Sequence, residues 1–457
     1  MIEKILNILN KYENILILWF AREWKTSYNF VRKHFPNKKL TILDEKQIWE
    51  INDENIEILI EKITVDRLRQ FDLIIKTPGI SFKWMDTEGL NITSQLELLL
   101  EVDRQNVIAI TGTKGKSTTT TLLYQVIKDQ KENTFLLWNI WVPIFEQIEN
   151  FDENSTLVIE CSSHQLQYIK TSPHIAILLN LYPEHLDHYN SLEEYYESKL
   201  NIFKYQTEWD FAIVDEQVIS VMKQPLWTSV ISPNMEEISP LIGGDPALAG
   251  EGVAKPIEIW KDVAIQWDFV VLNWKEVYNI HEPRKLLWEH NLTNIMNIFV
   301  VCDILKLDFE KAKEVIAEFQ PLEHRMELVW TFDWVTYYND SIATIPVSTI
   351  NSLKSIQNVN TLILWWMDRW IDYSDLINFV NSSNVENVIC LPKTGHDLLP
   401  SISKKTYKVE NLPQAVEISK QVTRKWSVCL LSPAASSYTF FKNFEERGRI
   451  FKELVRK

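Results

Sequence analysis

Glycine is what this chain is short of. Its 457 residues include 10 glycines, where average usage of about 7% predicts roughly 32. Cysteine is also sparse. Cys161, Cys302, Cys390 and Cys429 stand far apart, with none of the close pairs that a disulfide scaffold or a zinc site needs. No apolar run approaches the ~18 residues of a membrane span. The stretch Met1 to Tyr12 mixes charges into its apolar residues and lacks a secretory-signal core. Basic residues do not dominate either. A net charge of -15 argues against a general nucleic-acid binder, yet a local loop or helix N-terminus can still hold a small anion. Together these absences predict a reduced, cytoplasmic chain. What is abundant is tryptophan, with 18 residues.

At roughly 150 residues per domain, the length predicts about three domains. Hydrophobic residues at 46% and charged residues at 24% are an ordinary globular balance. Strand-like runs at 15–18, 40–43 and 73–75 alternate with helical stretches, which predicts a Rossmann-like parallel sheet over residues 1–102. Asp44 ends the second run, where such a domain often meets a ribose or base; taken alone, it reads as a solvated strand end. A second segment, 103–320, opens on the apolar run Val107 to Ile110 and continues through strands at 157–159 and 175–181. Residues 206–280 read as shorter strands and loops, and a helix with an apolar face starts near Asn291. A third segment, 321–457, carries strands at 335–338, 361–364, 388–391 and 428–431. The expected fold class is α/β in three domains: Rossmann-like, then a central P-loop ATPase-type parallel sheet, then Rossmann-like again.

The string Thr111-Gly112-Thr113-Lys114-Gly115-Lys116-Ser117-Thr118 follows a buried strand and opens a helix. It is a shortened relative of the G-x-x-x-x-G-K-[ST] phosphate loop. Glycines let backbone N–H groups approach phosphate, and the helix N-terminus adds positive potential. Lys116 can reach terminal phosphates, and the Ser117 hydroxyl suits magnesium. Downstream, Glu160 ends the strand 157–159, His185 follows Tyr182-Pro183-Glu184, and Lys199 lies on an amphipathic stretch. Taken singly, these read as a surface acid, a satisfied loop histidine and a solvated helix lysine.

The variant T-G-[ST]-x-G-K-[ST] resembles the ATP loop of Mur ligases and folylpolyglutamate synthases, which phosphorylate a carboxylate with ATP and let an amine attack the acyl phosphate. Nearly the whole chain is similar to the MurD type of Mur ligase. The resemblance implies that Ser117, Glu160, His185 and a carbamylated Lys199 hold Mg2+, with Lys116 acting on ATP alongside them. Thr77-Pro78-Gly79-Ile80 resembles the family's S-P-G-I loop, and Asn139-Ile140 its N-I-G segment. Thr77, Asp44, Asn139 and Ser162 are therefore expected to contact UDP-N-acetylmuramoyl-L-alanine. His290-Asn291-Leu292-Thr293-Asn294 implies adenine contacts from Asn291 and Asn294. His324-Arg325 and Asn339-Asp340-Ser341 imply that Arg325 and Asp340 face ATP.

The stretches Leu431-Ser432-Pro433-Ala434-Ala435-Ser436-Ser437 and Phe441-Lys442-Asn443-Phe444-Glu445-Glu446-Arg447-Gly448 are similar to the family's glutamate-binding end. The resemblance implies that Thr344, Ser437 and Phe444 hold the incoming amino acid, expected to be D-glutamate. The family's lysine after N-D-S is Ile342 here, and Arg369 aligns with another family lysine that can supply a cation. The implied activity is an ADP-forming ligase of cytoplasmic peptidoglycan precursor synthesis, acting as a monomer. Another Mur or folylpolyglutamate-type ligase, or an inactive nucleotide-sugar-binding homologue, is the alternative.

Tryptophan occupies positions where the resemblance expects glycine: Trp19, Trp24, Trp138, Trp141, Trp288, Trp330, Trp334, Trp365, Trp366, Trp370 and Trp426. Tight turns and phosphate approaches use glycine because it has no Cβ. The 10 glycines and 18 tryptophans together approach the roughly 32 glycines expected. A gene in which UGA means glycine, translated as if UGA meant tryptophan, gives this pattern; a decayed homologue is the rival reading.

Overall fold

The computed structural model describes the chain apart from residues 19–20, 46–50, 52, 139–142, 186–187, 223–228, 232–262, 267, 273–274, 287–289, 321–322, 365–372, 393–395, 397–398, 436 and 438–439. It divides into two compact units. One comprises Met1–Arg284 with His290–Phe319, the other Lys285–Glu289 with Gln320–Lys457.

The first unit holds two parallel sheets. One is ordered β3-β2-β1-β4-β5, from β1 (Ile15–Leu18), β2 (Leu40–Asp44), β3 (Ile56–Ile60), β4 (Leu73–Ile75) and β5 (Ile92–Thr93). β1 is buried along its whole length, as a strand covered on both faces by helices must be. The order reverses between β1 and β4, which opens a crevice beyond their carboxyl ends. The second sheet is ordered β11-β10-β9-β6-β8-β7, from β6 (Val107–Thr111), β7 (Thr134–Trp138), β8 (Thr156–Glu160), β9 (Ile175–Leu178), β10 (Phe211–Val214) and β11 (Ser229–Ile231). One continuous apolar core joins the two sheets, reaching from Ile5 and Leu73 to Leu157 and Val214. A small antiparallel sheet, β12 (Val263–Gln266), β13 (Phe269–Leu272) and β14 (Lys275–Asn279), completes the unit.

The second unit is a six-stranded sheet ordered β15-β16-β20-β17-β18-β19, from β15 (Glu327–Phe332), β16 (Val335–Asn339), β17 (Val359–Leu364), β18 (Asn387–Cys390), β19 (Lys405–Lys408) and β20 (Val428–Leu431). All its pairings are parallel except the β15–β16 hairpin at the edge. The two residues joining that hairpin, Asp333 and Trp334, both have positive φ, 44° and 69°. Among the described residues, no helix is long and apolar enough to cross a membrane.

The α/β class and the parallel sheets match the sequence expectation. The strand expected over 175–181 stops at Leu178, because the backbone beyond it turns to serve the phosphate loop: Thr113 N donates to Asn180 O at 2.9 Å.

Candidate active site

The phosphate loop leaves β6 between two neighbours, β8 and β9. Ile110 pairs with Glu160, and Thr111 with Leu178. The loop, Glu160 and the segment after β9 therefore emerge side by side at the carboxyl ends of three adjacent strands. Gly112 and Gly115 have φ of 151° and 88°. Neither could carry a side chain comfortably, since a Cβ on Gly112 would lie 3.0 Å from Leu179 Cβ and one on Gly115 would lie 3.1 Å from Leu179 Cδ1.

Asn180 clamps the loop. Its Oδ1 accepts from Lys114 N at 2.8 Å, and its Nδ2 donates to Lys114 O at 3.0 Å. The Thr113 hydroxyl accepts from Tyr182 N at 2.9 Å and lies 3.0 Å from the Tyr195 hydroxyl. Lys116 folds over the loop and donates to the carbonyls of Gly112 and Thr113 at 2.9 and 3.0 Å. Lys116 to Gln130 forms the following helix. On its first turn Ser117 is half-buried, and the Thr118 hydroxyl is buried without a hydrogen-bond partner in the protein. A buried polar atom is normally paired. An unpaired hydroxyl at the start of this helix fits a phosphate oxygen, so the loop suits a nucleotide.

Lys199 comes from the helix Leu192–Lys204 and is fully enclosed. Its amine donates to Gly112 O at 2.9 Å and lies over the Tyr195 ring at 5.3 Å. Burial, and the nearby charges of Lys116 and Lys114, push Lys199 well below the ordinary lysine range, with Glu184 acting the other way. Glu160 is buried at the end of β8. Glu184 forms an ion pair with Lys114 at 3.3 Å. Burial acts to raise the Glu184 carboxyl, but Lys114, His185, Lys116 and Lys199 outweigh it and hold it at about 2. His185 takes a positive φ of 58° and places its ring 4.8 Å from His164. Asn291 and Asn294 start the helix His290–Leu305. Both are buried, and Asn294 accepts from Thr119 of the phosphate-loop helix at 2.9 Å.

Among the described residues no three His, Cys, Asp or Glu side chains form a metal cage. Magnesium seldom uses one. It binds through one or two carboxylates, with waters and substrate phosphates completing the octahedron. A carboxylate and a hydroxyl beside a phosphate loop fit that habit.

The structure thus brings together residues 112–118, Glu160, His185, Lys199, Asn291 and Asn294. Thr77 and Asp44 lie elsewhere in the same unit, at the carboxyl ends of β4 and β2; Thr77 is buried and donates to Leu18 O at 3.4 Å. The Ser162 hydroxyl is engaged as a helix cap, accepting from Gln165 N at 3.2 Å and donating to Gln165 Oε1 at the same distance. Arg325, Asp340, Thr344, Ser437 and Phe444 belong to the second unit. There the Asp340 carboxylate is buried and accepts from Ser352 and Ser432 hydroxyls at 2.6 and 2.7 Å. Burial pushes it up to about 6 against those hydrogen bonds and the charge of Arg325. Asn139 and Arg369 lie outside the described residues.

Comparison with known proteins bears on this arrangement. The Mur ligase middle domain matches residues 110–226, which span the phosphate loop, Glu160, His185 and Lys199. The UDP-N-acetylmuramoylalanine--D-glutamate ligase of Citrifermentans bemidjiense is 34% identical over 98% of this chain and 98% of its own length. The chain belongs to the Mur ligase family. Within it, a Geobacter protein of the same description is 31% identical, again over 98% of both chains. Two solved Mur ligases share the fold: MurC of Thermotoga maritima, at TM-score 0.57 and 17% identity over 97% of this chain and 99% of that one, and MurF of Thermotoga maritima in complex with ADP, at 0.54 and 16% over 97% and 95%.

Sequence reasoning passed over three residues of this Mur ligase site: Asn180, Glu184 and Tyr195. Tyr195 carried a signal, since it stands four residues before Lys199 and so shares its helix face. Asn180 and Glu184 carried none, because their role is to meet a loop some 66 to 70 positions earlier. Lys76 was also passed over. It is buried between the rings of Phe82 and Tyr168, at 5.5 and 5.4 Å, and burial pushes it down to about 7 against the charge of Glu23.

Proposed function

We propose that this Mur ligase joins D-glutamate to UDP-N-acetylmuramoyl-L-alanine at the expense of ATP, in peptidoglycan precursor synthesis. The observation that carries the reading is the Lys199 amine, enclosed in the protein 2.9 Å from a carbonyl of the phosphate loop. A loop alone would support any nucleotide enzyme. A lysine buried against it, beside Lys114 and Lys116, points to carboxylate activation.

The reason is electrostatic. A cationic Lys199 is disfavoured by burial and by its two lysine neighbours. The free amine is the form that adds to carbon dioxide, and loss of a proton then leaves an anionic carbamate. That anion turns repulsion by Lys114 and Lys116 into attraction. Ser117, Glu160, His185 and carbamylated Lys199 would hold Mg2+, which when bound neutralises charge as one anion attacks another. Backbone N–H groups of the loop other than those of Thr113 and Lys114, which Asn180 engages, bind the ATP phosphates, Lys116 reaches the terminal one, and Asn291 and Asn294 serve the adenine. The substrate carboxylate attacks the γ-phosphorus and ADP leaves. The glutamate amine then attacks the acyl phosphate carbon and expels phosphate.

In this reading residues 1–102 take the UDP end through Asp44 and Thr77, with Asn139 and Ser162 on the muramoyl side. Residues 103–320 bind ATP. Residues 321–457 supply Arg325 and Asp340 toward the nucleotide, and Thr344, Arg369, Ser437 and Phe444 toward glutamate. The enzyme works as a cytoplasmic monomer. ADP release with each substrate pair tests this. Release is expected with UDP-N-acetylmuramoyl-L-alanine plus D-glutamate and not with L-glutamate. Turnover only with other amines would make the chain another amide ligase of the Mur or folylpolyglutamate type. No release with any pair would make it an inactive nucleotide-sugar-binding homologue.

A further inference from the structure

Arg447 is among the largest fully buried side chains of the protein, at 0% exposure, although it sits on the first turn of the terminal helix Phe444–Arg456. A buried guanidinium is tolerated only when its donors are satisfied. Here Nε donates to Ser341 Oγ at 2.8 Å, one terminal nitrogen to Ala435 O at 3.1 Å, and the other to Ser341 O. Ser341 in turn donates from Oγ to Phe444 O at 2.8 Å. One planar fork thus ties three chain segments together: the turn after β16, the loop after β20 and the start of the helix. That loop is itself held in an unusual backbone state, with Ala434 at φ 57°. The helix approaches the turn closely because the next residue is glycine. A Cβ on Gly448 would stand 2.3 Å from His324 Nδ1 and 2.9 Å from Asn339 Nδ2.

Thr344 follows Ser341 by three residues, Ser437 follows Ala435 by two, and Phe444 precedes Arg447 by three. Three of the four groups proposed to hold the incoming amino acid, all but Arg369, are therefore a short step from one end of the Arg447 fork. We propose that Arg447 is a positioning residue for the amino-acid substrate: it fixes the relative placement of Thr344, Ser437 and Phe444 without touching the substrate. The assignment rests on the glutamate-ligase reading. A lysine, being a point charge, cannot span the same partners.

The test is Arg447→Lys and Ser341→Ala, with steady-state kinetics for all three substrates and amide exchange across residues 434–444. Loss of a hydrogen bond of this kind is worth about tenfold in an affinity. The expected result is a rise of about that size in KM for glutamate, a smaller rise in KM for ATP because Asp340 adjoins Ser341, unchanged KM for the UDP-substrate, and faster exchange at 434–444 but not in the phosphate loop. An equal change for all substrates, or no change in either readout, overturns the assignment. Should Arg447→Lys fail to fold, Ser341→Ala alone decides, since it removes the hydroxyl between Nε and Phe444. If the unsubstituted chain releases no ADP with glutamate, the activity itself fails, and exchange at 434–444 still reports on the fork.

A separate observation concerns the tryptophans. Of the seven tryptophans among the described residues, Trp84, Trp334 and Trp426 have φ of 65°, 69° and 64°. Only a few per cent of non-glycine residues adopt positive φ, and for a bulky one it is an outlier. All three are exposed, at 78%, 53% and 68%, and the Trp334 and Trp426 rings, 4.2 Å apart, cover each other only in part. Trp334 is the second residue of the two-residue hairpin after Asp333, the place where Asp-Gly is strongly preferred. Trp24, Trp138 and Trp330 do not share this geometry: the first is helical and the others lie in β7 and β15. We infer that positions 84, 334 and 426 are glycine in the organism's own protein, from UGA codons read as glycine. The gene sequence decides. UGA at the three positions is expected, and UGG at them overturns the inference.

Discussion

The Thr119 hydroxyl lies 2.9 Å from Asn294 Oδ1, joining two helices whose contacting residues are 175 positions apart. Asn294 also donates to Asn291 at 2.9 Å, and a Cβ on Gly115 would stand 3.3 Å from its Oδ1. The side chain that spaces these helices therefore also borders the turn of the phosphate loop. Asn294→Ala is expected to raise KM for ATP by about tenfold and to cost about 1 kcal/mol of stability. Thr119 keeps a fallback acceptor in Gly115 O at 3.0 Å, which holds the stability cost down. ATP titration and urea unfolding check the two numbers; an unchanged KM would sink the link between the helix pair and the nucleotide.

Lys199→Ala removes the proposed carbamate. Loss of one electrostatic group in a preorganised site lowers kcat by about 10²–10³. Added formate or acetate should restore part of the rate, because a small carboxylate can occupy the vacated volume. Carbon-dioxide depletion should slow the unsubstituted enzyme and bicarbonate should return it. A Lys199→Ala enzyme with full activity would remove Lys199 from the chemistry.

Glu184 gives a pH signature. Its carboxyl is held at about 2, against an ordinary 4.5, by Lys114 and its other cationic neighbours acting over the opposing effect of burial. A depressed acid stabilises the fold above its unfolded value. That stabilisation, on the order of 3 kcal/mol at about 1.4 kcal/mol per unit, is lost as pH falls from about 4.5 toward 2. Glu184→Gln should flatten the dependence of the urea midpoint on pH in that window. Equal slopes for both proteins would show that the carboxylate is not the group responsible.

Gly448→Ala should destabilise the second unit. The added Cβ would meet His324 and Asn339 at 2.3 and 2.9 Å, and overpacking of this kind costs about 1–3 kcal/mol. Thermal unfolding resolves it, and a change below about 0.5 kcal/mol, the usual size of a surface substitution, would mean that the helix yields without strain.

Much of the scaffold was legible in the sequence. The strands at 15–18, 73–75 and 107–110 stood out as short apolar runs, because parallel strands covered on both faces leave few polar positions. β3, with no fully buried residue, and the short β5 were not legible. The phosphate loop could be read from its motif, whereas Glu160 and Lys199 were singled out only through the family resemblance. Glu184 and Arg447 could be read as parts of strings but not as an ion-pair partner and a three-way tie, since both roles depend on segments about 70 to 106 positions away. Ser162 was singled out as a substrate contact through the resemblance; its second role, capping a short helix, was not read. Trp84 escaped notice because nothing in its neighbours signals a left-handed turn.

The bond from Lys199 to Gly112 spans 87 residues. Between them the chain must complete β7, β8 and β9 and the helix that carries the lysine. Long-range parallel pairing of this sort is slow to form, because loop-closure entropy precedes any compensating contact. The contact is therefore incomplete until the chain through Lys199 has folded. During synthesis, nucleotide capture by this chain should begin abruptly, after Asn291 and Asn294 have cleared the ribosome, and so time the completion of the fold.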